Sequence, residues 1–157
     1  MSDTQTFPKL RTVRTTLSQD TAKLMVEAHQ IMRLYDTTQL TNLILYCHAA
    51  AVASGWWHDP KTGEPLELNV GERIALSHSE LSEALEGARK GLPSDHLPGV
   101  SMFEEEIADT FIRLGDLLGG TGMEHSIVHT ILRKVKYNLE RADHKPENRL
   151  KEGGKEF

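Results

Sequence analysis

Apolar residues in this chain recur in steps of three and four almost throughout, and runs of alternating β-branched residues are nearly absent, a pattern that restricts the fold to packed helices. Five helical segments follow from it. The first runs from about Ser18, its N-cap, to Tyr35, with Leu24, Ala28, Ile31 and Leu34 or Tyr35 at helical spacing. The second, about Thr38 to Trp57, carries Leu40, Leu43, Ile44, Cys47, Ala51 and Val52, and is apolar over so much of its surface that it is expected to be largely buried. Pro60, Gly63 and Pro65 mark a loop. The third segment spans about Val70 to Arg89 and ends before Gly91-Leu92-Pro93. The fourth spans about Ser101 to Leu118, with Gly119-Gly120 as its stop, and the fifth about Met123 to Ala142. The expectation is an all-α bundle of four to five helices. Residues 1–37 form an N-terminal arm and helix, 38–142 the main helical domain and 143–157 a flexible tail.

Charge narrows the partners. The 157 residues sum to −5 at neutral pH, which argues against a nucleic-acid polymer, whose binding needs a basic surface. The lone cysteine, Cys47, cannot form an internal disulfide, and there is no CxxC pair for a metal. No apolar run approaches the ~18 residues that span a membrane, and Met1 to Arg14 lack the apolar core of a secretion signal. A cytoplasmic location with no membrane partner is expected.

The third and fourth segments carry the chemistry. Glu80 and Glu83 stand three apart, as do Glu106 and Asp109, so each pair shares one helix face. The stripes expected to face the core lie elsewhere: Ile74, His78, Leu81, Leu85 and Ala88 on the third segment, and Phe103, Ile107, Phe111, Leu114 and Leu118 on the fourth. Either carboxylate pair alone fits a solvated face. Two pairs on adjacent helices make an all-oxygen cage, which repels itself without a hard cation such as Mg²⁺ or Mn²⁺. The fifth segment adds Lys134, Asn138 and Arg141 at i, i+4 and i+7, two cations and an amide suited to phosphate oxygens. His125 and His129 lack the intervening glutamate of a zinc-binding HExxH and read as surface residues.

Four pieces in order are Gly55-Trp56-Trp57, the run from Ile74 to Glu86, Glu106-Ile107-Ala108-Asp109, and Lys134-Val135-Lys136-Tyr137-Asn138 with Arg141. Together they resemble the MazG-type all-α nucleoside triphosphate pyrophosphohydrolases over roughly residues 38–142. The family pattern is EExxE followed by ExxD. Ser79 stands where the first glutamate would be, and Glu80, Glu83, Glu106 and Asp109 match the rest. The resemblance implies that these four bind Mg²⁺, with Mn²⁺ as a substitute, and that Lys134, Asn138 and Arg141 hold phosphates. Many relatives end in His-Gly-Gly-Lys; this chain has Glu152-Gly153-Gly154-Lys155, which leaves Lys155 as a phosphate-binding candidate. A homodimer, or a homotetramer of two dimers, is implied as well.

The expected reaction is hydrolysis of a nucleoside or deoxynucleoside triphosphate to monophosphate and pyrophosphate. One of the four carboxylates, or Glu86, would accept the proton of the attacking water, and Trp56 or Trp57 would stack on the base. Two alternatives stand beside it: a phosphoribosyl-ATP pyrophosphatase of the same fold, and a non-catalytic helical interaction module.

Overall fold

The computed structural model describes residues 37–145 together with 148, 151 and 153. The N-terminal arm and first expected helix, and Lys155, lie outside the described residues, as does most of the expected tail. The rest is all-helical: α1 Thr37–Ala53, α2 Val70–Lys90, α3 Met102–Gly120 and α4 Ser126–Glu140, then a 3₁₀ turn at Ala142–His144. Among the described residues there is no strand, only isolated bridges pairing His58 with Pro65 and Pro93 with Ser101. No helix among them is long and apolar enough to cross a membrane.

Local chemistry sets the helix ends. The Asn69 side chain caps α2 by accepting from the Glu72 N–H at 3.2 Å. Gly91, at φ 64°, closes it in the left-handed conformation and donates to the Gly87 carbonyl. Ser101 caps α3 by accepting from the Glu104 N–H at 3.2 Å. Helix α1 stops at Ala53, short of the expected Trp57. Gly55, at φ 83°, turns the chain there and sets both tryptophans beyond the helix.

Helix α3 lies between α1 and α2 and packs on both, while α4 touches α1. Gly119 and Gly120 do not follow the end of α3 but form its last two residues, with Thr121 as the cap. Their role is close approach. A Cβ on Gly115 would lie 2.9 Å from Cys47 Cβ, one on Gly119 2.5 Å from His48 Cβ, and one on Gly120 would collide with the Trp57 ring.

On α2 and α3 the most buried positions are not those of the expected apolar stripes, of which Phe103, Ile107 and Leu118 are half-buried and Ala88 is exposed. On α2 the buried residues are Ser77, Glu80, Ala84 and Gly87; on α3 they are Glu105, Glu106, Thr110, Gly115 and Asp116. Ile74, Leu81, Leu85, Phe111 and Leu114 are exposed in the single chain, Leu85 and Phe111 by more than 60%, and His78 is exposed with them. Helix α1 buries only Thr41, Ile44 and Cys47, while Leu43 and Tyr46 stay exposed. Small side chains in the seams let the helices approach closely, which leaves the larger apolar side chains pointing outward.

Gly119→Ala is therefore expected to destabilise the protein by ~1–3 kcal/mol through overpacking. Gly71→Ala is the control: its Cβ would meet only the Asn69 side chain at 3.5 Å, so thermal unfolding should barely change.

Candidate metal centre and adjoining cavity

The α2–α3 seam is built from a polar stripe with the spacing of a packing stripe. On α2 it runs Arg73, Ser77, Glu80, Ala84 and Gly87; on α3 it includes Glu106, Asp109, Thr110, Arg113 and Asp116. Two hydroxyls are satisfied within their own helices, Ser77 donating to the Arg73 carbonyl at 3.1 Å and Thr110 to the Glu106 carbonyl at 2.9 Å. The seam can then bring carboxylates face to face.

Glu80, Glu83 and Glu106 each offer an oxygen within 4.8 Å of the others. Glu80 and Glu106 are buried, and Glu83 opens the cluster to solvent. Burial pushes the Glu106 carboxyl up to about 7, helped by a hydrogen bond with Glu80 and by the charges of Glu83, Glu80 and Asp109. Asp109, one turn further along α3, is also raised, first by burial and then by Glu80 and Glu105. An all-oxygen donor set carrying excess negative charge fits a hard divalent cation, so this triad can hold a metal ion. One internal cation already meets it: Arg113 Nε donates to Glu80 Oε1 at 2.5 Å.

Beside the cluster lies a cavity of about 440 Å³, lined in part by Cys47, Trp56, Arg73, Asp109, Ile112 and Arg113. That size suits a small organic ligand. Asp116 also lines the cavity and anchors a hydrogen-bond network. Asp116 Oδ1 accepts from Trp57 Nε1 at 2.7 Å and from His48 Nδ1 at 2.9 Å, and Oδ2 accepts from Arg73 Nη1 at 3.0 Å. Because a carboxylate only accepts, His48 carries its proton on Nδ1. Arg73 also donates to the Trp56 carbonyl at 3.0 Å and lies 4.7 Å over the Trp57 ring. Trp57 does not line the cavity; it braces Asp116 and Arg73, which do, with its nitrogen committed to Asp116 and its ring against Gly120. Trp56, 67% exposed, lines the cavity itself.

The remaining sequence candidates sit elsewhere. Lys134, Asn138 and Arg141 belong to α4 or its end and do not line this cavity. The Lys134 ammonium lies 4.7 Å over the Tyr137 ring, and Arg141 pairs with Asp143. Asn138 Oδ1 is buried with no hydrogen bond among the described residues. Glu86 pairs with Lys90 and Arg89, and Lys90 foremost holds its carboxyl below the usual range. His125 and His129 are exposed. Sequence reasoning passed over Arg73, Arg113 and Asp116. Their signal was available: Arg113 stands four residues after Asp109, Asp116 seven after it, and Arg73 seven before Glu80, all on the carboxylate stripes.

No protein family, curated protein or solved structure matches the chain in comparisons of sequence and fold.

The raised Glu106 carboxyl sets a pH dependence. Folded protein keeps this proton up to about pH 7, whereas the unfolded chain releases it near the ordinary value of 4.5. The folded state therefore binds more protons between those values. Metal-free stability is present below the window, falls as pH rises through it, and stays low above it. Urea unfolding between pH 5 and pH 8 should show that fall, and Glu106→Gln should flatten it.

Proposed function

We propose that the protein is a MazG-type, Mg²⁺-dependent pyrophosphohydrolase that cleaves a nucleoside or deoxynucleoside triphosphate between its α- and β-phosphates. The observation that carries this reading is the convergence of Glu80, Glu83 and Glu106 across one helix seam, with Asp109 beside them on the wall of a nucleotide-sized cavity. The ordered motifs in the sequence support the same reading.

In it, Glu80, Glu83, Glu106 and Asp109 hold the metal. Bound there, the metal supplies Lewis-acid polarisation of the α-phosphate and a water of lowered pKa. Asp109 faces both the cluster and the cavity, so it stands where a proton from the attacking water can be received. Trp56 offers an exposed aromatic face for the base. Lys134, Asn138 and Arg141 take phosphate contacts in an assembly whose sites lie at or near subunit interfaces. The outward apolar residues of α2 and α3 favour a homodimer or homotetramer, because a patch of this kind is covered in a stable soluble protein. The enzyme would act on the cytoplasmic nucleotide pool.

Purified protein with Mg²⁺ and a panel of triphosphates should yield monophosphate and pyrophosphate. Diphosphate with orthophosphate would reject α–β cleavage, and turnover confined to phosphoribosyl-ATP would reassign the substrate. Glu83→Gln and Asp109→Asn should each lower kcat by more than the ~100-fold typical of changes outside the ligand shell, with circular dichroism unchanged. Wild-type turnover surviving in both variants would refute the metal assignment. Light scattering should report a dimer or tetramer, and Leu85→Arg with Phe111→Arg should shift it toward monomer.

A further inference from the structure

Arg113 is the one basic side chain that pairs with the carboxylate triad among the described residues, through a single Nε bond to Glu80. Its two terminal nitrogens make no hydrogen bond among those residues. The side chain is 41% exposed and lines the cavity. Arg73, the other guanidinium of that cavity, is pinned by Asp116, the Trp56 carbonyl and the Trp57 ring. One arginine is therefore locked and the other is held by one end only.

We infer that Arg113 is a displaceable counter-ion that couples metal binding to phosphate binding: it neutralises Glu80 until a divalent cation takes that carboxylate, and then turns its guanidinium to a phosphate oxygen in the cavity. The inference rests on the pyrophosphohydrolase reading. A dication and a guanidinium repel when both sit at one carboxylate, and the doubly charged ion binds it more strongly. Glu83 and Asp109 keep the surroundings negative, and Arg113 already lines the cavity. A phosphate there offers the planar, bidentate acceptor that a guanidinium matches and an ammonium does not.

The test uses the full-length chain with Arg113→Met and Arg113→Lys. Titration calorimetry with Mn²⁺ alone comes first, and then with inorganic tripolyphosphate at saturating Mn²⁺. Removing the competing charge should tighten Mn²⁺ binding about fivefold in Arg113→Met, the scale of a part-exposed ion pair, and weaken tripolyphosphate about tenfold or more, the scale of a hydrogen bond to a charged group. Arg113→Lys should keep wild-type Mn²⁺ affinity and lose part of the tripolyphosphate affinity. Opposite signs on the two ligands are the signature, since a structural prop would weaken both. Arg113→Gln reads the same loss of charge should the methionine variant not fold. Equal weakening of both ligands, or no change in either, overturns the inference and leaves the metal site standing. Failure of wild-type protein to bind Mn²⁺ overturns the inference together with the reading beneath it.

Discussion

Glu80 and Glu106 face each other across the seam that joins α2 to α3, so the helices are held together at the place where their charges push them apart. Buried like charges are costly, and a structure keeps them only with compensation. Here the compensation is local. Burial holds a proton on Glu106 up to about pH 7, and Arg113 pairs with Glu80. Small neighbours at Ser77, Ala84, Gly87 and Thr110 let the backbones approach closely enough to fill the rest of the seam. A divalent cation would replace the proton and offset the repulsion at once, which links the stability of the seam to the proposed chemistry.

The second organising group is Asp116. Its two oxygens fix an imidazole from α1, an indole from the following turn and a guanidinium from α2. Every donor in that network comes from a different stretch of chain, so one carboxylate sets the relative placement of α1, the turn after it and α2. Gly119 and Gly120 complete the arrangement by leaving room for His48 and Trp57. The cavity beside the carboxylates is also lined by the exposed Trp56 and the part-exposed Arg113, whose side chains stand outside that network.

Much of this was legible in the sequence. Helical periodicity located α1 to α4, with the caps Asn69 and Ser101 as local confirmation. The i,i+3 spacing of the glutamates marked the cluster. What periodicity could not give was the packed face. The rule that apolar residues turn inward points to Leu81, Leu85 and Phe111, yet the stripe that packs carries Glu80, Glu106 and Asp116. Hydrophobicity registers which residues avoid water, not whether another helix of the same chain or a separate surface covers them. Close approach was missed for a similar reason: a glycine pair reads as a stop, and only the positions of His48 and Trp57 show it as a contact. The Asp116 network joins residues up to 68 apart in sequence, so no local window contains it.

The most direct measurement is the anomalous scattering of manganese in crystals of the protein grown with MnCl₂. The account predicts a peak at about 2.0–2.2 Å from oxygens of Glu80, Glu83, Glu106 and Asp109, the spacing of a hard divalent ion, with Arg113 withdrawn from Glu80. Crystals with no peak at the α2–α3 seam, or with manganese bound only elsewhere on the chain, would contradict it.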